Sequence, residues 1–253
     1  MRLLVVRETS ARPPALEVAV SHALVERVSA GELDGVLRLY RPEPTLAFGR
    51  LDALRPGYPA AAAAARSHVF EPVLRAPGGH AVAYHEGCLG IDEVIPEANP
   101  ITRMQDRFAE SGRLLAHALR TLGVDSRVGR VAGEFCPGDF TVNARGRVKL
   151  VGTAQRVVRH ASLLAASVAV RDAGRLRAVL LDVYRALELD WDPATAGAVA
   201  DDVPAGVDDV ERAVLAAYAE RHELVPASLG AETLAAAERL LDRHRVPVLS
   251  AGA

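Results

Sequence analysis

The sequence predicts an α/β (α+β) protein with a helical C-terminal end. Short apolar runs bounded by proline and glycine fill the first two thirds of the chain and are typical of strands, whereas the last third carries apolar residues at helical spacing. With 253 residues, half of them apolar, the chain is long enough to bury a sizeable core. We expect one domain, with a core in residues 1–175 and a helical C-terminal part in residues 176–253.

The first half of the chain alternates strand and helix signals. A short apolar run at residues 2–6 predicts the first strand, and Pro13 and Pro14 then precede a stretch whose apolar residues recur at helical spacing. An alanine run after Pro59 predicts a second helix. Further strands are predicted at residues 36–40, 45–48, 73–75 and 81–84.

The second half begins with a long helical pattern over residues 100–122, which Gly123 closes. Extended structure resumes at residues 128–131, and strands follow at residues 140–142, 149–158 and 163–170, the first two around a glycine-containing turn. Helices are predicted at residues 176–187, 207–221 and 231–244, with breaks near Pro193 and Pro204. We therefore expect sheet in the middle of the chain and helices at its end.

Composition argues against several classes of function. The formal net charge of -2 gives no basic surplus of the kind that nucleic-acid binding needs, and no apolar run reaches membrane-spanning length. The first residues lack the long apolar core of a signal peptide. Two cysteines cannot build a disulfide framework or a four-cysteine zinc site. We expect a cytoplasmic monomer that binds no nucleic acid, no membrane and no metal.

The basic residues are almost all arginine. Of the 30 Lys and Arg residues, only Lys149 is a lysine, which leaves 29 arginines. A lysine that survives such a bias indicates a position where arginine does not serve, such as a compact point charge that contacts a substrate. Chance survival is the alternative.

Three segments carry candidate chemistry, and the first is Arg75-Ala-Pro-Gly-Gly-His80. Adjacent glycines let the backbone approach a ligand, and their N–H groups can hold a phosphate or a carbonyl oxygen. Taken alone, the segment is more simply interpreted as a hairpin turn.

The second segment is Gly133-Glu-Phe-Cys-Pro-Gly-Asp-Phe140. Cys136 is flanked by proline and glycine, so we expect it in a loop that a large substrate can reach, where a thiol is a candidate nucleophile. Taken alone, an isolated cysteine is more often a core or incidental residue. The other cysteine, Cys88, is expected in the core.

The third segment is Lys149-Leu-Val-Gly-Thr-Ala-Gln-Arg156. In a regular strand, Gly152 and Ala154 leave room on one face, while Lys149, Thr153 and Gln155 share the other. This polar row faces either a specific site or plain solvent.

In this order and at these separations, the three segments resemble the biotin/lipoate protein ligase superfamily, whose members carry an Arg-x-Ser-Gly-Gly-Gly loop and a Lys-x-x-Gly-Ser-Ala-Gln strand. Residues 149–155 match the strand closely, and residues 133–140 are similar to the loop of cysteine-dependent octanoyl transferases, above all the octanoyl-H-protein amidotransferase branch. The resemblance covers roughly residues 40–175. It implies the fold of class II aminoacyl-tRNA synthetases and biotin ligases, a mixed β-sheet flanked by helices.

The resemblance also implies a function in protein lipoylation. An octanoyl or lipoyl group would pass through a thioester on Cys136 to the lysine of a lipoyl carrier domain, such as the glycine-cleavage H protein or the E2 subunits of 2-oxoacid dehydrogenases. Acyl carrier protein is a further candidate donor, and no cofactor is required. The implied catalytic residues are Cys136 and Lys149, and the implied substrate-binding residues are Arg75, Gly78, Gly79, His80, Gly152, Thr153, Ala154 and Gln155.

The chain also departs from the family pattern. Pro77 stands where the family has a polar residue and His80 stands in place of the third glycine, which counts against phosphate binding at this loop. A histidine common on the next strand falls at Tyr84, and we expect the neighbouring His85 to be structural. We further expect Val82, Val151 and Leu163 to line a tunnel for the acyl chain.

Two alternatives remain open at the level of the sequence. One is an ATP- and Mg-dependent lipoate-protein ligase, in which Lys149 contacts both the acyl carbonyl and the α-phosphate of an acyl-adenylate. That enzyme would retain activity without Cys136. The other is a non-catalytic relative that binds acyl groups or lipoyl domains, because one fold supports several functions.

Overall fold

A computed structural model of the protein describes residues 1–9 and 12–247, and these residues form two β-sheets and six α-helices. The strands are β1 (Arg2–Glu8), β2 (Val36–Tyr40), β3 (Thr45–Phe48), β4 (Glu71–Leu74), β5 (Val82–Tyr84), β6 (Cys88–Pro96), β7 (Ser126–Val128), β8 (Val142–Ala144), β9 (Val148–Val157), β10 (Ala161–Ala169) and β11 (Glu223–Ala227). The helices are α1 (Pro14–Ser29), α2 (Tyr58–Ser67), α3 (Met104–Thr121), α4 (Ala173–Ala186), α5 (Val207–Ala219) and α6 (Ala231–Leu240).

The larger sheet is mixed. Its eight strands run in the order β11-β1-β2-β6-β10-β9-β8-β7, in which β1 pairs in parallel with β11 and β2 and the other neighbours are antiparallel. The smaller sheet has the order β4-β3-β5, with β4 parallel and β5 antiparallel to β3. The prediction of a mixed sheet flanked by helices is confirmed.

Helices cover the sheets because each presents an apolar side to them. Leu114, Leu115 and Leu119 of α3 and Val210 and Val214 of α5 share one buried cluster with the middle of the larger sheet. Helices α2 and α4 pack with the smaller sheet, and α1 and α6 pack against the opposite side of the larger sheet. The gap between the two sheets is where the candidate site lies.

Two strands were not predicted. Strand β6 carries Asp92 and Glu93 in its middle, and these charges hid the strand pattern, although Asp92 is buried beside the guanidinium group of Arg38 on β2. Strand β11 contains Pro226 and lies in the region predicted to be helical. It is an edge strand, where a proline does not interrupt a ladder on both sides.

The other differences concern element ends. The helix predicted from residue 100 begins at Met104, and the helix predicted to reach residue 244 ends at Leu240, followed by a short 3-10 turn at Leu241–Arg243. Helices α5 and α6 share buried clusters with the first half of the chain and β11 extends its sheet. The assignment of residues 1–175 and 176–253 to one domain stays a prediction. Residues 248–253 lie outside the described residues.

Candidate active site

The glycine loop, residues 75–80, joins β4 to β5 and reaches the cysteine. Gly79 has a positive φ of 94°, and a Cβ atom on it would lie 2.9 Å from Sγ of Cys136 and 2.7 Å from Nη2 of Arg75. Only glycine permits this close approach. Gly79 therefore brings the backbone close to the cysteine, and contact of Gly78 and Gly79 with a ligand stays a prediction.

A second glycine, which sequence reasoning missed, makes room for this loop. A Cβ atom on Gly49, just after β3, would lie 1.7 Å from the carbonyl oxygen of Gly79. The residue lies within residues 40–175, the part of the chain that resembles the family. Its packing role is visible only in three dimensions.

Cys136 lies in the cysteine loop, residues 133–140, between β7 and β8. Its φ of 40° is unusual for a non-glycine residue. The backbone N–H of His80 donates to Sγ over 3.2 Å, and Nη2 of Arg75 lies 3.8 Å from the same sulfur. Hydrogen-bond donors and cations around a sulfur stabilise its thiolate form, which is the nucleophilic one.

The hydroxyl of Tyr184 on α4 connects the cysteine loop to a neighbouring segment. The Tyr184 hydroxyl accepts a hydrogen bond from the backbone N–H of Cys136 over 2.8 Å and donates one to the carbonyl oxygen of Ala81 over 3.0 Å. The ring of Trp191 packs against both Tyr184 and Phe135. One tyrosine thus ties the cysteine loop to the start of β5, a role that the sequence did not indicate.

Lys149 is only 4 % exposed and its ammonium group is directed at the cysteine loop. Nζ lies 3.0 Å from Oε2 of Glu134, and it donates to the carbonyl oxygens of Phe135 over 3.0 Å and of Cys136 over 2.8 Å. These contacts occupy all three donors of the ammonium group. The sequence placed Lys149 against substrate, whereas here its partners are the loop that carries the cysteine.

Glu134, which was not predicted, connects several parts of that loop through its carboxylate. It is buried, and Oε1 accepts from the backbone N–H groups of Val131 and Gly138 while Oε2 accepts from the hydroxyl of Thr141 and pairs with Lys149. A buried carboxylate needs such compensation, since an unpaired charge in the interior is costly. The Glu134–Lys149 pair therefore fixes the conformation of the loop.

His80 contributes its imidazole to the site as well as its backbone N–H. Its Nδ1 lies 2.8 Å from Oδ1 of Asp52, a residue with no exposed surface whose Oδ2 accepts the backbone N–H of Gly49. The imidazole is about one third exposed. Because Asp52 engages Nδ1, the free nitrogen of the ring is Nε2. Asp52 was not predicted, because it begins a short 3-10 helix, Asp52–Leu54, that carries no motif.

Strand β9 carries the remaining predicted residues. At Leu150 a bulge against β8 breaks the alternation of faces, so Lys149 lies over Gly152, whose added Cβ would sit 3.4 Å from Cε of the lysine. The prediction that Lys149 shares a face with Thr153 and Gln155 is therefore wrong.

The side chain of Gln155 contacts α3 and also borders the outer opening at Cys136. Its side-chain amide donates to the carbonyl oxygen of Met104 over 2.8 Å and accepts from Nε of Arg107 over 3.0 Å. The backbone carbonyl oxygen of Gln155 is 3.4 Å from the backbone nitrogen of Gly78, and this contact attaches the glycine loop to β9. Thr153 and Ala154 border both of the cavities that meet at Cys136.

A mostly apolar cavity runs inward from Cys136 and Lys149 between the two sheets. We call it the acyl cavity, after the acyl chain that the family resemblance predicts for it. Small side chains at paired positions of β9 and β10 make this room, because Gly152 pairs with Ser167 and Ala154 with Ala165. The remaining walls include Pro77, Val82, Tyr84, Phe135 and Leu176.

The expectations for the tunnel lining are met in part. Val82 and Gly152 line the acyl cavity, whereas Val151 and Leu163 are buried in separate apolar clusters beyond it. Gly78 and Gly79 border a shallower opening on the outer side of Cys136. Pro77, the departure from the family pattern, is buried as part of the cavity wall.

Cys88 and His85 are both buried, and the prediction that Cys88 lies in the core is confirmed. Cys88 is 1 % exposed, and burial raises the pKa of its thiol to about 12. His85 is fully buried, its Nδ1 accepts the backbone N–H of Gly87, and burial lowers the pKa of its imidazole.

No three histidine, cysteine or acidic side chains within residues 1–9 and 12–247 come together as a metal site would require. Over the same part of the chain, the helices are too short or too polar to span a membrane.

Comparisons with known proteins agree with this architecture. Two solved structures are similar in fold: lipoate-protein ligase A bound with ATP (TM-score 0.75, 20% identity, 96% of this chain and 95% of that chain), and a bi-partite lipoate protein ligase of Thermoplasma acidophilum (TM-score 0.69, 18% identity, 96% and 93%).

Two curated relatives are octanoyl-[GcvH]:protein N-octanoyltransferases. That of Geobacillus kaustophilus is 29% identical over 163 residues, which cover 64% of this chain and 57% of the relative. That of Oceanobacillus iheyensis is 27% identical over 209 residues, or 78% and 74%. The chain thus spans little more than half the length of the first of these relatives.

The model of the lipoyl protein ligase A/B catalytic domain matches residues 13–184, which include the glycine loop, the cysteine loop and strand β9. The predicted membership of the biotin/lipoate protein ligase superfamily is confirmed, and the chain belongs to the lipoyl protein ligase A/B catalytic domain family.

Proposed function

We propose that this protein transfers an octanoyl or lipoyl group through a thioester on Cys136 to the lysine of a lipoyl carrier domain. The observation that carries the proposal is the position of Sγ, which lies where the acyl cavity opens and receives the N–H of His80 and the guanidinium group of Arg75. The names of the curated relatives support the same chemistry.

The first step is attack of the Cys136 thiolate on the carbonyl carbon of an acyl-lysine. A carbon–sulfur bond forms, the carbon–nitrogen bond breaks, and the lysine amine leaves as it takes up the proton that the Cys136 thiol has given to Nε2 of His80. Hydrogen-bond donors aimed at the reacting centre stabilise the charge that develops on the carbonyl oxygen. The N–H of His80 and the Arg75 guanidinium are the donors nearest to the sulfur.

In the second step an acceptor lysine attacks the thioester. A new carbon–nitrogen bond forms, the carbon–sulfur bond breaks, the amine loses its proton, and the thiolate returns. We assign this proton transfer to Nε2 of His80, since Asp52 holds Nδ1 and the donors of Lys149 are occupied. One amide is consumed and one is made, so the exchange is close to thermoneutral and needs neither ATP nor another cofactor.

The cavity and the names of the relatives support a choice of substrates. The acyl chain would occupy the apolar space beside Gly152 and Ala165, and the carrier domain would remain outside, with its lysine arm in the opening between the glycine loop and the cysteine loop. We propose an octanoylated H protein as the donor and the lipoyl domains of E2 subunits as acceptors. Octanoyl acyl carrier protein is a second possible donor.

An ATP-dependent ligase is the competing function. It would need the glycine loop for phosphate, yet in this structure the third glycine is replaced by His80, whose N–H is directed at Cys136 and whose ring is bonded to Asp52. The likeness to a ligase bound with ATP is one of fold.

The deciding experiment is intact-protein mass spectrometry after mixing the protein with octanoylated H protein without ATP. Wild type should gain one octanoyl group that hydroxylamine removes, and Cys136→Ser should gain none. Trypsin separates the two cysteines, because cleavage at Arg130 and Arg145 isolates Cys136 on its own peptide. Transfer of lipoate to a carrier only with ATP, and undiminished in Cys136→Ser, would overturn the proposal in favour of a ligase.

A further inference from the structure

A cleft beside the glycine loop collects positive charge. We call it the arginine cleft. Its arginines come from four parts of the fold: Arg50 follows β3, Arg75 follows β4, Arg156 is in β9, and Arg243 is in the 3-10 turn after α6. The side chains of His22 and His244 form its floor. Segments far apart in sequence therefore converge on one place.

The four guanidinium groups of this cleft form no ion pairs within the described residues, and Glu26 is the carboxylate that lines the cleft beside them. Within residues 1–9 and 12–247, none of its four guanidinium groups has a carboxylate oxygen within 4.0 Å, whereas arginines such as Arg38 and Arg107 are paired. Nε of Arg75 and Nε of Arg156 are also shielded from solvent without a hydrogen-bond partner in this part of the chain. In a protein of net charge -2, such a cluster favours an anionic ligand.

The two histidines add hydrogen bonds but little charge. Nδ1 of His244 donates to the carbonyl oxygen of Leu74, and its Nε2 is 3.0 Å from Nδ1 of His22, whose other nitrogen faces Glu26 over 3.2 Å. Burial lowers the pKa of both imidazoles, which favours their neutral forms at neutral pH. Glu26 is the one carboxylate among the described residues that line the cleft.

The cleft and the active site share Arg75. Its Nη2 donates to the carbonyl oxygen of His80 over 2.9 Å and lies 3.8 Å from Sγ of Cys136, while the same side chain borders the cleft. A single guanidinium group, that of Arg75, would therefore separate an anion in the cleft from the reacting sulfur. A molecule that brings an acyl-lysine to Cys136 would cover the cleft with the surface beside that lysine.

The construction of the cleft indicates carboxylates rather than a phosphate. Phosphate sites are commonly built from backbone N–H groups at a helix N-terminus or a glycine-rich nest. Here α1 contributes His22 and Glu26 from its later turns, and the cationic groups are separate arginine side chains on four elements. Such dispersed charges match several acidic side chains on a protein surface.

We propose that the arginine cleft binds carboxylate side chains that the carrier domain presents beside its modified lysine. This proposal rests on the function proposed above. It assigns recognition of the carrier to Arg50, Arg156 and Arg243, apart from recognition of the acyl chain by the acyl cavity. Affinity for the carrier should then depend strongly on ionic strength.

The test uses charge reversal at Arg243, which is exposed and touches neither Cys136 nor the acyl cavity. Arg243→Glu is compared with Arg113→Glu, an equal change of charge on the exposed side of α3. Two reactions are measured for each: octanoyl transfer from octanoylated H protein at low and high salt, and acylation of Cys136 by octanoyl-N-acetylcysteamine, a small uncharged thioester.

We expect Arg243→Glu to lower kcat/KM for the carrier about tenfold at low salt, and to lessen its dependence on salt, with wild-type behaviour toward the small thioester. Arg113→Glu should resemble wild type in both reactions. Equal loss in the two variants, or unchanged transfer from the carrier in Arg243→Glu, would overturn the proposal. So would tight binding of inorganic phosphate that Arg243→Glu abolishes, since the cleft would then be a phosphate site.

The small thioester separates this proposal from the function on which it rests. If wild type forms no octanoyl-Cys136 from that donor, the thioester mechanism itself is wrong. If wild type is acylated and only the effect of Arg243→Glu is missing, the mechanism stands and the assignment of the cleft is wrong.

Discussion

The sulfur atoms of the two cysteines have opposite surroundings. Sγ of Cys136 receives an N–H and a guanidinium group at the edge of a cavity, while Cys88 is enclosed in β6. Because the thiolate is the reactive form, the raised pKa of Cys88, about 12, keeps it inert at neutral pH. The sequence left open whether Cys136 is a nucleophile or a core thiol. Its partial exposure and the hydrogen-bond donors around its sulfur distinguish it from the buried Cys88.

Alkylation should therefore be selective. We expect iodoacetamide at pH 7.5 to modify native wild type once, at Cys136, and to leave Cys136→Ser unmodified. After denaturation both cysteines should react. Peptide mapping by mass spectrometry checks this, and a second modification at Cys88 in the native protein would contradict the described burial.

Lys149 and Glu134 are coupled in the interior. An arginine in place of Lys149 keeps the charge but cannot place three donors on Glu134 and on the carbonyl oxygens of Phe135 and Cys136 in the same small space. We expect Lys149→Arg to lower the rate of Cys136 acylation about tenfold or more, as displacement of a reacting group typically does.

The comparison for that variant is Glu134→Gln, which leaves the lysine unpaired in a buried place. It should lower the free energy of unfolding by about 3 kcal/mol, as removal of one partner of a buried ion pair does. Urea titration followed by circular dichroism measures this, and an unchanged midpoint would show that the pair is not holding the loop.

Tyr184 offers a more conservative change. Tyr184→Phe keeps the ring against Trp191 but removes the hydroxyl shared by the N–H of Cys136 and the carbonyl oxygen of Ala81. Two buried backbone groups lose their partner, which should cost about 1–3 kcal/mol of stability. We also expect slower acylation of Cys136 by octanoyl-N-acetylcysteamine. Unchanged stability and an unchanged rate of acylation would show that the Tyr184 hydroxyl has no role in the site.

Among the elements, the strands with uninterrupted apolar character were the predictable ones. Strands β2 and β3 have the bounds that were predicted, because every residue of each is buried and prolines separate them. Strand β6 escaped prediction since its charged residues have partners on other elements, Arg38 for Asp92 and Tyr218 for Glu93. Only the assembled sheet reveals those partners.

The residues of the candidate site also fall into two groups, those that the sequence predicted and those that it did not. Motif residues of the glycine loop, the cysteine loop and β9 were found because their order resembles a family. Asp52, Glu134 and Tyr184 act through contacts across the fold, and single polar residues of this kind carry no signal in one sequence. The bulge at Leu150, which turns Lys149 toward Gly152, cannot be read from a two-residue period.

Between β6 and α5, Glu93 is close to Tyr218, and burial raises the pKa of its carboxyl to about 7. A raised pKa means that the folded state favours the protonated form. The contribution of Glu93 to stability is thus complete below the ordinary pKa of 4.5 and is lost as the pH rises through about 7.

Glu93→Gln, which cannot ionise, should remove this dependence. In urea titrations at pH 5, 6, 7 and 8, we expect the difference in the free energy of unfolding between wild type and Glu93→Gln to change steadily and to favour wild type most at pH 5. A constant difference across the series would contradict the raised pKa.

At the scale of the whole molecule, two sheets meet over a space that small residues keep open. The paired positions Gly152 with Ser167 and Ala154 with Ala165 lie along one wall of the acyl cavity. Space of this shape sets a limit to chain length, because close-packed interiors accommodate extra volume poorly.

Ala165→Leu should therefore shorten the preferred acyl chain. We expect kcat/KM for octanoyl-N-acetylcysteamine to fall about tenfold, while the value for the butanoyl thioester stays within about twofold of wild type, in keeping with the cost of overpacking a few methylenes. Acylation of Cys136 followed by mass spectrometry measures both. Equal losses with the two donors would indicate that the acyl chain lies elsewhere.

The single lysine has a consequence for the protein's own chemistry. An acyl thioester is discharged by any accessible primary amine, and an enzyme that holds one is at risk of modifying itself. This chain has one ε-amine, and that amine is buried and paired with Glu134, while the other 29 side-chain cations are guanidinium groups, which do not attack thioesters. An acyl group held on Cys136, as proposed above, would thus meet no accessible ε-amine of this chain and would wait for a lysine that another protein supplies.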